Sequence, residues 1–255
     1  MICGQWSAQP GWQRIDLLSD VHLHASARKT FEAWRAHMLG TPADAVLILG
    51  DLFEVWVGDD SRDGDFEREC VDVLREAASR RHLAFMHGNR DFLMGAAMRG
   101  ACGMQALPDP TVAEAWQQRV LLTHGDALCL ADTAYQQFRI QVRSPEWQAS
   151  FLALPLHSRQ QRAQAMRDAS QQHQAAQPAQ AWADADAPLA TRWMHDGRAT
   201  SLVHGHTHRP ATHVLPNGQL RHVLGDWDFE AQPPRARALA WTAAGLHAFD
   251  VAAST

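Results

Sequence analysis

An α/β fold built on parallel strands is the architecture this sequence predicts, and three observations predict it. Short apolar runs alternate with amphipathic helical stretches through the first 125 residues, the pattern of βαβ units with right-handed crossovers. Five apolar runs in the chain end in clusters of metal-binding side chains, and ligands carried on the C-terminal ends of strands are how α/β proteins build their sites. The third is composition: 46% of the 255 residues are apolar, enough for a sizeable core.

The runs come in a fixed order. Ile15-Asp16-Leu17-Leu18 leads into Ser19-Asp20-Val21-His22, and Ala45 to Leu49 leads into Gly50-Asp51. Leu83 to Met86 leads into His87-Gly88-Asn89-Arg90-Asp91. Val120 to Leu122 leads into Thr123-His124-Gly125-Asp126, and Ser201 to Val203 into His204-Gly205-His206-Thr207-His208. Between them, 30–39 and 66–78 are predicted helices, the second with Phe66, Val71, Leu74 and Ala78 on one face.

From Asp132 to about Asp196 the pattern changes to helices without strands. Asp132 is placed to N-cap a helix running through Val142, which Pro145 ends. The apolar, proline-broken Phe151-Leu152-Ala153-Leu154-Pro155-Leu156 follows, then a polar helix over 159–172 and a Gln/Ala-rich stretch that turns loop-like at Pro178. Arg139 to His173 holds five arginines against two acidic residues, a net +3 inside an acidic protein. The stretch reads as a helical cap inserted at about 132–196 into a single domain. After His208 two antiparallel hairpins are expected: 212–215 with 220–224 around Pro216-Asn217-Gly218, and 236–241 with 246–251.

Bulk properties exclude several classes. The net charge of −5 argues against nucleic acid as a partner. Four scattered cysteines form no CxxC pair and suit a reduced compartment. Residues 1–13 lack the basic start and apolar core of a signal peptide, and no uncharged apolar run reaches the ~18 residues of a membrane span.

Taken singly, the motifs are weak. Asp-x-His is usually a solvated loop, Gly-Asp can merely cap a helix, and a histidine-rich loop can be accidental. Five of them in order, each at a strand end, outweigh those readings. Hard oxygens and imidazoles converging from five strands suit two divalent cations with one shared carboxylate. His87 and His208 fall between ligand and supporting roles.

The order Asp20-Val21-His22, Gly50-Asp51, Gly88-Asn89-Arg90-Asp91, His124-Gly125-Asp126, Gly205-His206-Thr207-His208 resembles the calcineurin-like metallophosphoesterases. Leu49 through Asp60, His87 through Leu93 and His204 through Pro210 look like the bacterial UDP-2,3-diacylglucosamine diphosphatases. So do Tyr135-Gln136-Gln137-Phe138-Arg139 and Phe151 to Leu156 in the insertion. The resemblance implies a sandwich of two mixed β-sheets flanked by helices, with a helical cap. It implies two Mn²⁺ ions: Asp20, His22, Asp51 and His206 on one, and Asp51, Asn89, His124 and His204 on the other, with Asp51 bridging. The reaction implied is attack of metal-activated water on the α-phosphorus of UDP-2,3-diacylglucosamine, giving UMP and 2,3-diacylglucosamine 1-phosphate for lipid A. Asp51 and Arg90 would be catalytic, Arg90 as an electrostatic clamp where many relatives carry a histidine. Substrate contacts fall on Asn89, Arg90, Asp132, Ser170 and His204. Gln174 and Gln177 occupy contact positions where the family has a lysine-containing stretch, so a charge is missing. The implied setting is the cytoplasmic face of the inner membrane, touched from the surface, with a lipid-linked UDP-sugar as partner and no obligate protein partner. The rival readings are a metallophosphoesterase of other nucleotides or phosphodiesters, against which the Leu/Pro-rich cap argues, and a catalytically silent scaffold, against which the full set of seven ligands argues.

Overall fold

The structure, a computed structural model, describes residues 3–175 and 184–252, the side chains of 169–175 excepted. Two mixed β-sheets face each other, each covered on its outer face by helices. One sheet runs β11 (Trp227–Asp228), β12 (Arg235–Thr242), β2 (Ile15–Leu18), β3 (Ala45–Leu49), β4 (His82–Met86), β5 (Met104–Leu107), with β13 (Gly245–Asp250) also paired to β12. The other runs β1 (Gly4–Ser7), β6 (Thr111–Ala115), β7 (Gln118–Leu122), β8 (Ser201–His204), β10 (Leu220–Val223), β9 (Ala211–Val214). Strands β2 to β5 are parallel, as the βαβ pattern predicts, and β12 joins them antiparallel.

The alternation of side chains along each strand builds the layers. Ala45, Leu47 and Leu49 of β3 face the other sheet, packing in one cluster with Val120, Leu122, Val203 and Trp241. Val46 and Ile48 point the opposite way, into a cluster with Phe31 and Trp34 of α1 (Arg28–Gly40) and Phe66 and Leu74 of α2 (Asp65–Ala78). Both faces of this parallel sheet are therefore dry, which is why its strands read as unbroken apolar runs. A third helix, α3 (Ala96–Cys102), precedes β5.

The helical stretch contains α4 (Thr133–Val142), α5 (Pro145–Leu152), α6 (Leu156–Ala175) and α7 (Ala187–Asp196). Asp132 caps α4 as expected, accepting from the backbone N–H of Tyr135 at 2.9 Å. Helix α4 ends at Val142, and the expected stop, Pro145, has a second role. It opens α5 at the first turn, where its missing N–H costs nothing, behind a Ser144 cap. Helix α7 lies on the outer face of the second sheet, with Leu189, Ala190 and Met194 against Val112, Leu121 and Leu202. The helical stretch expected over 132–196 thus includes a helix, α7, that belongs to the sandwich. Both expected hairpins are present, β9–β10 and β12–β13. The short β1, strand β6 and the turn that joins β6 to β7 carry no signal in the sequence.

Candidate functional site

Five of the loops that follow strands meet where the C-terminal ends of β2, β3 and β4 from one sheet approach those of β7 and β8 from the other. The loops stay hydrogen-bonded after the strands end. Asp20 N–H donates to the Gly50 carbonyl (3.1 Å), His22 N–H to Asp51 (3.0 Å), and Gly205 N–H to His124 (2.9 Å). Two glycines permit the close approach. A Cβ on Gly88 would overlap the Asp51 carboxylate, and one on Gly205 would overlap Asp20 and Ser19. Asp20, His22, Asp51, His206 and His208 all hold positive φ, between 51° and 64°. Such backbone is uncommon outside glycine and collects at functional sites, where the surrounding structure enforces it.

The carboxylates are buried and held by backbone donors. Asp20 accepts from Ser19 Oγ (2.5 Å) and from the His206 N–H (3.0 Å). Asp51 Oδ1 accepts from the Arg90 N–H (2.8 Å) and lies 3.7 Å from His124 Nε2. Asp91, two residues beyond Asn89, accepts from the N–H groups of Leu52 (2.7 Å) and Gly88 (2.8 Å), tying the β3 and β4 loops together. Burial, with Asp51 nearby, raises Asp91 to about 7.

Among the described residues two groups of donor atoms result, each with its atoms within 4.8 Å of one another: Asp20, His22 and His208, and Asp20, Asp51 and His124. Asn89 Oδ1 sits between His124 Nε2 and His206 Nδ1, 2.8 Å from each. The structure therefore gathers Asp20, His22, Asp51, Asn89, His124 and His206 of the expected set, and it adds His208, whose Nε2 is 3.3 Å from Asp20 and 3.3 Å from His22 Nε2.

His204 is a correction. It is the last residue of β8, paired with Val223 of β10, so the sheet fixes its direction. Its Nδ1 faces the Gly205 carbonyl at 2.9 Å and its Nε2 faces Arg221 at 3.3 Å. Burial and that arginine hold it down at about 4. The two histidines that face the other donors are 206 and 208, one pair further on, and His206 stands beside Asn89 and His124 rather than beside His22.

The donor set fits divalent cations. It offers carboxylates, an amide oxygen and imidazoles, the mixture suited to Mn²⁺, Fe²⁺ or Zn²⁺. The pocket also draws positive charge. Burial alone would lower His124, but Asp51 and Asp20 outweigh it and raise it to about 9. Asp20 likewise outweighs burial at His208 and raises it. His206, facing His124, is pushed down to about 3 by burial and by that neighbour.

The remaining expected contacts are spread around this centre. Arg90 lines a cavity of about 450 Å³ together with His22, Glu54, His208, Asp226 and Trp227. Asp132 stands at the start of α4, and Asp126 anchors that helix by accepting from Tyr135 Oη (2.8 Å) and Arg139 Nε (2.7 Å). Arg143 at the end of α4 donates to the Gly88 carbonyl at 2.9 Å, so the stretch touches the Asn89 loop directly. Ser170 and Gln174 fall on the α6 backbone, their side chains among those not described, and Gln177 lies outside the described residues. Sequence reasoning quoted Glu54, Asp91 and Asp126 only as members of motifs, without a role, and left His208 between ligand and supporting roles. Their signals were present: Asp91 and Asp126 each follow a ligand by two residues, and His206-Thr207-His208 repeats the spacing of Asp20-Val21-His22.

The calcineurin-like phosphoesterase family profile matches residues 13–210. Among curated proteins, the chain is 40% identical over 242 residues to a UDP-2,3-diacylglucosamine hydrolase of Chromohalobacter salexigens, covering 89% of this chain and 98% of that protein. It is 40% identical over 244 residues to the Bordetella parapertussis protein of the same name, covering 92% and 94%. It is 41% identical over 224 residues to that of Xanthomonas campestris pv. campestris, covering 82% and 90%.

Proposed function

The chain belongs to the calcineurin-like phosphoesterases and, within them, to the family of the UDP-2,3-diacylglucosamine hydrolases, and from that premise we propose that it cleaves the pyrophosphate bond of UDP-2,3-diacylglucosamine, releasing UMP and 2,3-diacylglucosamine 1-phosphate for lipid A synthesis. The observation that carries this reading is the extent of the likeness, which spans nearly the whole of both chains.

In this reading Asp20, His22, Asp51 and His208 hold one divalent ion, and Asp51, Asn89, His124 and His206 hold the other. Mn²⁺ is the proposed metal. Bound ions there supply acidified water and positive charge opposite phosphoryl oxygens. The chain's own residues do the rest. Arg90, fixed through its backbone to Asp51, lines the cavity, where its guanidinium would clamp a phosphate oxygen. Asp91 locks the Gly50-Asp51 and Gly88-Asn89 turns so that donors from two strands keep one geometry.

The helices over 132–175 form the proposed acyl-binding cover. Phe138, Ile140, Leu152 and Met166 are the large apolar side chains left exposed there, and among the described residues only Leu130 and Val214 are exposed elsewhere. Leu154 and Leu156 instead pack against the core. Each buried methylene of an acyl chain would contribute about 0.8 kcal/mol. No described helix is long and apolar enough to cross a membrane. A cover that leaves Ile140, Leu152 and Met166 exposed supports working from the surface of the inner membrane.

The test is direct. Chelator-stripped protein given Mn²⁺ and UDP-2,3-diacylglucosamine in detergent should yield UMP and the lipid monophosphate. Absence of UMP, or release of UDP in its place, would overturn the reading.

A further inference from the structure

Glu54 is not among the expected ligands or substrate contacts, yet it touches three parts of the site. It is buried on the loop after β3, three residues beyond Asp51. Its Oε2 lies 2.9 Å from Nδ1 of His22, the ring nitrogen turned away from the donor cluster. Its Oε1 lies 2.6 Å from Nη2 of Arg167, on α6, and 3.9 Å from Nη1 of Arg90. His22 presents its other nitrogen, Nε2, to Asp20 and His208.

We infer that Glu54 is a positioning residue that orients His22 as a metal ligand and, through Arg167, ties the helical cover to the metal centre. The inference rests on the dinuclear reading above and adds a residue to it. The chemistry is that of a carboxylate behind a ligating imidazole. A carboxylate oxygen this close to Nδ1 favours the proton there through its charge, leaves the Nε2 lone pair free for the ion and raises its basicity. The second oxygen has a separate task. It pairs with a guanidinium of α6 while standing near Arg90, so seating of the cover and placement of the phosphate clamp share one anion. Loss of either arginine would leave Glu54 with less compensation, and loss of Glu54 would release all three partners. Arg159 holds the same helix a few turns away, donating to Asp60 Oδ1 at 2.8 Å, so α6 stays docked when the Glu54 pair is cut.

The experiment is Mn²⁺ titration of chelator-stripped protein, read by competition with a fluorescent chelator. Wild type should take up two ions. Glu54→Gln, which keeps the shape and loses the charge, should bind one of them roughly 10- to 100-fold more weakly, the range for losing the partner of a ligating histidine. Thermal melting checks that the variant folds. If it does not, Glu54→Asp serves instead: it retains the charge but is one methylene too short to reach both sides, and the same weakening is expected. The double variant Glu54→Gln with Arg167→Gln separates positioning from mere charge balance, and it should stay as weak as the single one. Recovery of wild-type affinity in the double variant, or unchanged affinity in both single variants, overturns the inference. A wild type that binds no Mn²⁺ at all would instead sink the metal reading beneath it.

Discussion

The loops that gather the metal donors and the helices that cover them are held in place by opposite means. Each loop residue at the centre answers to several constraints at once. Asp51 is fixed by the Arg90 N–H, by Gly88 pressed against its carboxylate and by a left-handed backbone. Asp20 is fixed by Ser19, by His206 and by Gly205. The cover is attached at separated points: Arg139 and Tyr135 on Asp126, Arg143 on Gly88 and against Phe92, Arg159 on Asp60, and Phe151 with Trp147 in the core. Redundant restraint suits a centre that must present charges at fixed positions. Sparse attachment suits a surface proposed to admit two acyl chains. Damage to the loops should therefore abolish turnover on any substrate, whereas damage to the cover should discriminate between substrates.

The largest effect expected is from Asp51→Ala. It removes a carboxylate proposed to serve both ions, and turnover should fall on the order of 10³-fold or more for the lipid and for a small chromogenic phosphodiester alike. Retained turnover with two ions bound would remove Asp51 from the bridge. Next comes Gly88→Ala, where the added methyl displaces the Asp51 carboxylate. Overpacking of this kind costs about 1–3 kcal/mol of stability, and the loss of turnover should exceed what the change in melting temperature explains. A variant with normal kinetics would show that the loop yields.

Arg90→Lys should lower kcat/KM by about 10-fold with metal content unchanged, because an ammonium holds one phosphate oxygen where a guanidinium holds two. Identical kcat/KM would take Arg90 out of the site. The smallest and most selective effect belongs to the cover. Leu152 and Phe138 are 42% and 39% exposed, so they are not the cover's own core. Replacing either with a polar residue should raise KM for the lipid roughly 5- to 10-fold, one or two methylenes' worth of contact, and leave the small ester nearly unchanged. Equal losses on both substrates would mean that the cover had only been destabilised.

How much of this the sequence revealed follows the same division. The ligand-bearing strands were legible because each is a short apolar run stopped by Gly, Asp or His. Helices α1, α2 and α4 were legible from apolar spacing and the Asp132 cap. The β6–β7 hairpin was not, because its turn residues are Trp116 and Gln117, both at positive φ without a glycine or asparagine to announce it. His204 was misplaced because one residue decides the matter. The run was read as ending at Val203, but β8 continues through His204, held there by pairing with Val223 of a strand 19 residues on. Long-range pairing of that kind leaves no local mark. The role of Glu54 left no local mark for the same reason, since two of its partners, His22 and Arg167, lie far from it in sequence.

The central claim, that the two ions are gathered by His206 and His208 with His204 behind them, is tested most directly by counting metal. Chelator-stripped wild type, His204→Ala and His208→Ala would each be refilled with Mn²⁺, passed over a desalting column and measured for ions per chain. The account predicts two for wild type, two for His204→Ala and one for His208→Ala. One ion in His204→Ala together with two in His208→Ala would contradict it.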